Sequence, residues 1–117
     1  MEKCRYLTVG DWFSNRIEAA FHDDPRSEAA VLIHELVEYL LCVLNDITAA
    51  QVDREDFAML EGKKKYNQLI YWRYHLTALR IERLFAEAAG ITWKQHEKLV
   101  SKAYAKQKSL HREGELV

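Results

Sequence analysis

The stretch from Val31 to Leu44, VLIHELVEYLLCVL, carries an imidazole and two carboxylates inside a mainly apolar run. His34 and Glu38 are four residues apart, so on a helix their side chains lie one above the other on the same face. This spacing lets a helix offer two ligands to one metal ion. Glu35 lies about 100° from His34 around the helix axis, near enough to contact a water molecule bound to such an ion. We therefore predict a metal site with His34 and Glu38 as ligands and Glu35 as its catalytic base.

The sequence HELVE is the zinc-peptidase pattern H-E-x-x-H with a glutamate in place of the second histidine. Imidazole and carboxylate ligands suit a divalent transition metal such as Zn²⁺, Mn²⁺, Fe²⁺ or Ni²⁺. The alternative is a helix whose polar stripe faces water. However, the same stripe carries Val31, Leu41 and Cys42, which is unusual for a solvated face. Burial of an unpaired carboxylate costs several kcal/mol, and either a metal ion or a paired network would remove that cost.

A second group of polar residues follows further along the chain. His75 and Glu82 are seven residues apart, which is two helical turns, and small apolar residues surround them on that face. We predict both as further ligands of the same ion. The alternative is that Glu82 pairs with a nearby arginine and His75 is an ordinary core residue. Asp53, in the segment VDRED, is predicted as an additional oxygen ligand, although acids on a short helix are often simply solvated.

Capping signals divide the rest of the chain into helices. Asp24-Pro25 is typical of a helix start, and the helix should continue to about Asn45. Its broad apolar face is predicted to be the core: Leu32, Ile33, Leu36, Val37, Leu40, Val43, Leu44 and Ile47. Two capping boxes, TAAQ at Thr48 and TWKQ at Thr92, open later helices that reach about Leu60 and about Lys108. Between them a long helix is predicted over residues 65–89, ending before Gly90.

These elements predict a mainly α fold, a compact four-helix bundle in which the helices over residues 25–45 and 65–89 pack together. Residues 3–21 are expected to form a small N-terminal β-hairpin, because RYLTV has strand-forming residues and Gly10-Asp11 could begin a turn. A short helix capped by Ser14 is the alternative for RIEAAF. We expect a single helical domain over residues 1–110 and a flexible C-terminal tail over residues 111–117.

Composition and charge limit the partners and the cellular location that we expect for the protein. The chain has 117 residues and a net charge of −1, so no global field attracts nucleic acid or membranes. No apolar run reaches the roughly 18 to 20 residues of a membrane helix, and the N-terminus lacks a secretory pattern. Cys4 and Cys42 do not form a metal-type pair, so we expect reduced thiols in a cytoplasmic protein.

Four segments together resemble a known family: GDWF, VLIHELVEYLLC, VDRED and YHLTALRIERLFAEAAGITWKQHEKLV. The family comprises small bacteriophage, prophage and bacterial proteins with the pattern H-E-L-[VI]-E-A-x-L-C, then V-D-x-F-D, then H-x6-E-R. The resemblance covers residues 10–100. It implies functional positions at His34, Glu35, Glu38, His75, Glu82 and Asp53, and it favours the N-terminal hairpin. It names no reaction, because the family has no established activity.

The sequence departs from the family at three points. Asp56 does not match the second aspartate cleanly, because VDRED-F reverses the order of phenylalanine and aspartate. Tyr39 replaces an alanine and His96 replaces a tyrosine, and neither is expected to touch the site.

Three functional hypotheses follow. The first is a metal-dependent hydrolase, with its small-molecule or nucleotide substrate unknown; a variant is an all-α pyrophosphohydrolase, although those enzymes are richer in carboxylates. The second is a nucleic-acid-binding module built on KKKYNQLIYWRYH, which interleaves lysines with aromatic residues. The third is a non-catalytic phage accessory protein whose buried His–Glu network only specifies packing. A homodimer is expected, since small helical proteins with many aromatic residues often dimerise.

Overall fold

The structure, a computed structural model, describes Lys3, residues 8–13 and residues 16–115. Within these ranges it confirms the mainly α architecture with an N-terminal hairpin. A single 3₁₀ turn, Tyr66–Gln68, lies between the second and third helices. The elements in chain order are β1 (Gly10–Phe13), β2 (Arg16–Ala19), α1 (Pro25–Leu44), α2 (Ala49–Leu60), α3 (Trp72–Ala88) and α4 (Trp93–Glu115).

The hairpin pairs β1 with β2 in antiparallel register, from Gly10 opposite Ala19 to Phe13 opposite Arg16. Gly10-Asp11 is therefore part of a strand and does not form the turn expected there. Ser14, the alternative helix cap, lies outside the described residues. Trp12 points from β1 into the protein and is 3% exposed, so the hairpin contributes a large aromatic side chain to the interior.

Capping residues set the helix boundaries as the sequence predicts. Asp24 accepts a hydrogen bond from the Arg26 amide at 2.9 Å, and Pro25 occupies the first helical position. The capping boxes that Thr48 and Thr92 begin are both formed. Gly90 has a φ of 95°, the left-handed conformation that commonly ends a helix.

Two helices differ from the predicted boundaries. α3 begins at Trp72, because residues 66–68 form a 3₁₀ turn where the long helix was predicted to begin at residue 65. α4 continues to Glu115, past the predicted end at Lys108 and through most of the predicted tail. Residues 116 and 117 lie outside the described part of the chain. Across the described ranges, no helix combines the length and apolarity required to cross a membrane.

α1 and α3 pack directly against each other, as predicted. The contact is lined by small side chains: Ala30 on α1 and Ala78 and Ala86 on α3 are all 0% exposed. Alanines let two helix backbones approach closely. As a result, the larger side chains on the same faces, including histidines and glutamates, are held between the two helices.

The predicted core face of α1 was wrong. Leu36, Leu40 and Val43 are 38%, 48% and 49% exposed, whereas the buried residues are Ser27, Ala30, Val31, His34, Glu35, Glu38 and Cys42. The helix is rotated by about half a turn relative to the apolar-face prediction. The physical reason is that Ser27, His34 and Glu38 have polar partners on α4, α3 and β1, which favour burial of this side, whereas the described elements leave the leucine face exposed.

We expect Ala86→Leu to destabilise the protein by about 1–3 kcal/mol, because the added side chain must push α1 and α3 apart. The matched control is Ala88→Leu, in the same helix but exposed, for which a change within about 0.5 kcal/mol is expected. Urea unfolding monitored by circular dichroism measures both. Equal destabilisation by the two substitutions would contradict the close helix contact.

Candidate metal centre

Three side-chain atoms from α1 and α3 converge to form a small triangle. His34 Nε2 lies 3.1 Å from Glu38 Oε2 and 3.2 Å from His75 Nδ1, and His75 Nδ1 lies 3.0 Å from Glu38 Oε2. His34 and Glu38 are 5% exposed, and the side chain of His75 is 30% exposed. Ligands about 2.0–2.1 Å from a tetrahedral ion lie roughly 3.3 Å apart, close to the observed sides. The triangle therefore has the dimensions of a metal-ligand set.

Protons alone satisfy this triangle poorly. A hydrogen bond between His34 Nε2 and His75 Nδ1 requires one nitrogen to lack a proton, and that nitrogen then cannot donate to Glu38 Oε2. While Glu38 is ionised, at most two of the three short contacts can be hydrogen bonds. A cation bound by all three atoms would satisfy all three contacts at once, so the cluster is compatible with metal binding.

Aromatic residues hold the ligands in place. The ring of Trp72 stacks on His75 with centroids 5.3 Å apart and an interplanar angle of 18°. The two residues are three apart in the first turn of α3, so they share a face. From β1, Trp12 Nε1 donates a hydrogen bond to Glu38 Oε1 at 3.4 Å, leaving Oε2 directed at the two histidines.

Glu82 lies behind His34. Glu82 Oε1 is 2.7 Å from His34 Nδ1, although the contact is poorly aligned for a hydrogen bond. Its other oxygen, Oε2, is 2.5 Å from His96 Nε2. A carboxylate against the second nitrogen of a metal-binding histidine sets its tautomer and orientation. Glu82, predicted as a ligand, thus contacts His34 and is not part of the triangle.

The network continues from His96 to the protein surface. His96 Nδ1 lies 2.8 Å from the Ser27 hydroxyl, which lies 2.8 Å from His22 Nδ1. His96 and Ser27 are both 0% exposed. The expectation that His96 does not touch the site was wrong: it supports Glu82 directly. The available signal was a histidine at an otherwise apolar position of α4, but the partner that makes it meaningful is 14 residues away in sequence.

The pKa values of His34, Glu38 and Glu82 are shifted by their mutual contacts. Burial would lower the pKa of His34, but hydrogen bonding to Glu38 and Glu82 raises it to about 10. Burial would raise the pKa of Glu38, but hydrogen bonds from His34 and His75 lower it to about 2. Bonding to His34 and His96 likewise lowers the pKa of Glu82 against the effect of burial. Without a cation, the carboxylates of Glu38 and Glu82 favour the protonated form of His34, which lies between them.

Glu35 occupies a different environment on the same helix. It is 9% exposed. Burial and the nearby charge of Glu38 raise its pKa well above the usual value, with smaller contributions from Asp11 and Asp56. Gly10 makes room for it, because a Cβ there would lie 2.7 Å from Glu35 Oε1. Such a side chain is a candidate for proton transfer.

The triangle and Glu35 line one cavity of about 570 Å³. Its wall combines acidic groups such as Asp56 and Glu97 with aromatic rings such as Trp72 and Trp93. The volume is within the range of small-molecule sites. A metal ion bound to the triangle would therefore face a space large enough for a small substrate.

The two aspartates of VDRED lie in different places relative to the cavity. Asp56 lines the cavity and accepts a hydrogen bond from the Tyr71 hydroxyl. Asp53 is neither in the group of converging donor atoms nor on the cavity wall. Of the five residues predicted as ligands, three supply the triangle, Glu82 supports it, and Asp53 lies apart from it.

Cys42 is fully buried and free, with burial, and then Glu38 and Glu35, raising the thiol pKa to about 12. It therefore remains protonated and does not compete as a thiolate ligand.

The lysine-aromatic segment makes contacts within the chain. Lys64 Nζ donates to Glu55 at 2.5 Å, and Lys63 Nζ lies 2.8 Å from Glu61. Tyr71 is 6% exposed, so its ring is not available for stacking on a base. Among these aromatic residues, Tyr66 is the most exposed, at 60%.

No protein-family model, curated protein or solved structure matches the chain.

Proposed function

We propose that this protein binds one divalent transition metal ion through His34, Glu38 and His75 and uses it for hydrolysis of a small molecule. The observation that carries the proposal is the donor triangle, whose three contacts cannot all be hydrogen bonds. Two imidazoles and one carboxylate are a common donor set for Zn²⁺ and are also compatible with Fe²⁺, Mn²⁺ or Ni²⁺.

Two features support a catalytic site over a structural one. Structural zinc sites have four protein ligands, whereas catalytic sites have three and leave a position for water or substrate. The triangle supplies three and borders the 570 Å³ cavity. A bound ion would supply a water molecule of lowered pKa at that position.

Glu35 is the proposed general base. It lines the same cavity as the triangle, so its carboxylate is placed to take a proton from a molecule bound there. Its raised pKa results partly from Glu38, and a cation at the triangle would lower that pKa and leave Glu35 ionised. Glu82 and His96 hold His34 in the ligating orientation.

The non-catalytic alternative is a buried His–Glu network that only specifies packing. It differs from the proposal in requiring no ion, so metal analysis separates the two. The nucleic-acid alternative gains no support from the contacts of Lys63, Lys64 and Tyr71. The resemblance to small phage and bacterial proteins agrees with the proposed ligands but remains an expectation from the sequence.

Purified protein without a histidine tag is expected to contain close to one equivalent of transition metal, measured by inductively coupled plasma mass spectrometry. His34→Ala should abolish it, whereas His111→Ala, which removes a histidine outside the triangle, should not. An ion that binds only the folded state at a hundred times Kd adds about 2.7 kcal/mol of stability, so the wild-type Tm should rise by several degrees. Wild-type protein that takes up no metal and whose Tm ignores added Zn²⁺, Mn²⁺ and Ni²⁺ would support the packing-only alternative.

Glu35→Gln should retain the metal and lose about 10²–10⁴-fold of hydrolytic activity, the usual contribution of a general base. Activity would be screened with p-nitrophenyl esters, phosphodiesters and amino-acid anilides. The spectrum of Co²⁺-substituted protein provides a control that needs no substrate: acetohydroxamate should perturb it in both wild type and variant, because both keep an open coordination position. A spectrum unaffected by acetohydroxamate would indicate a closed structural site.

Metal-free protein should be most stable at mildly acidic pH and should lose stability when the pH is raised or lowered from there. The raised pKa of His34 contributes stability that is complete below its ordinary value of 6.5 and lost as pH rises to about 10. The lowered pKa of Glu38 contributes stability that is present above its ordinary value of 4.5 and lost as pH falls to about 2. Thermal unfolding across pH measures this, and His34→Gln should flatten the alkaline side. Metal loading should remove the alkaline loss, because the ion replaces the proton at Nε2.

A further inference from the structure

The side of α1 opposite the site forms a continuous apolar surface, here called the outer face. Its most exposed members are Leu36, Leu40, Val43 and Leu44, at 38%, 48%, 49% and 78%. The polar residues of this part of the helix all lie on the other side. The outer face comprises Ala29, Leu32, Ile33, Leu36, Val37, Leu40, Val43 and Leu44.

When one face of a helix is buried in its own protein and the opposite face is also apolar, a folded assembly covers both faces. In this protomer, the hairpin, α3 and α4 pack against α1 without covering the outer face. Contiguous exposed apolar patches of this kind mark interaction surfaces. The question is which partner covers it.

We propose that the outer face of α1 binds the same face of a second copy, forming a twofold-symmetric dimer. Leucines at 32, 36, 40 and 44 form one ridge with four-residue spacing. Ridges of this spacing interdigitate with identical ridges when two helices cross at about −50°. Because a twofold interface places the same patch on both subunits, a uniform leucine ridge is complementary to itself.

Charge argues against the other partners. The outer face has no charged group, so it offers nothing to pair with a charged peptide or nucleic acid. Helices that lie on membranes carry lysine and arginine around the apolar face. In α1 the one such residue is Arg26, which is bonded to Asp24. A second copy needs no complementary charge and brings an equally apolar ridge.

The interface lies on the opposite side of α1 from His34 and Glu38, so the inference does not depend on the metal site. An indirect link exists, because covering the outer face fixes the helix that supplies two of the three proposed ligands. Dimerisation and metal binding can therefore be tested separately.

Sedimentation velocity and light scattering should give twice the 13.8 kDa chain mass for the wild type at micromolar concentration. Leu40→Lys should weaken the dimer by about 30-fold or more, as expected for a residue central to an interface. Leu84→Lys is the matched control, because Leu84 is 66% exposed on the outside of α3 among charged neighbours. It should leave the dimer intact. Circular dichroism verifies folding of both variants.

A measurement without variants completes the test. The Tm of wild-type protein should rise between roughly 1 and 100 µM chain, because dimerisation stabilises the folded state by mass action. A monomer at all concentrations, or a dimer unaffected by Leu40→Lys, would overturn the proposal. Flotation of the wild type, but not of Leu40→Lys, with phosphatidylcholine–phosphatidylglycerol vesicles would also overturn it, in favour of a lipid surface.

Discussion

The rest of the structure depends on the burial of the polar face of α1. His34, Glu35 and Glu38 occupy the helix side that packs against α3 and the hairpin, where each is less than a tenth exposed. Burial of these groups without partners would cost several kcal/mol each. For His34 and Glu38 the fold meets this cost with partners from other elements: His75 and Glu82 on α3 and Trp12 on β1. The arrangement of the helices is therefore inseparable from the chemistry of the site.

Small residues make this arrangement geometrically feasible. Alanines at the α1–α3 contact bring the two helices close, so that His34 and His75 reach each other across the interface with ring centroids 4.7 Å apart. Glu82, two helical turns after His75, then lies between His34 and His96. A polar chain running from His22 through Ser27 to His34 is thus assembled from three helices and the loop before α1. Its members fix one another, which is how a buried network specifies a single packing.

The parts of the fold that local chemistry determines could be predicted from sequence. Asp24-Pro25, the capping boxes at Thr48 and Thr92, and Gly90 mark helix ends through bonds to neighbouring residues, so the positions are evident without the fold. Likewise, four- and seven-residue spacings suffice to place His34 with Glu38 and His75 near Glu82. What spacing cannot provide is which helix face turns inward. Hydrophobic periodicity assigned the leucine face to the core, because the rule assumes that a helix has one buried side within its own protomer.

Two of the wrong sequence predictions have one cause. The sequence predicts that His96 does not touch the site and that Leu40 lies in the core, because only the residues of the same helix are considered in each case. The function of a buried polar residue depends on partners that are distant in sequence, such as Glu82 for His96. An apolar residue is left exposed when the opposite side of its helix makes the more favourable contacts with the rest of the protein. In α1 the polar side is the one buried, because its groups bond to partners on other elements. The pattern itself contained the signal: α1 is apolar on one side and carries chemically reactive groups among Val31, Leu41 and Cys42 on the other. A helix with no side suited to water is one that needs two interfaces, and the site helix of this protein has one with α3 and an uncovered one facing outward.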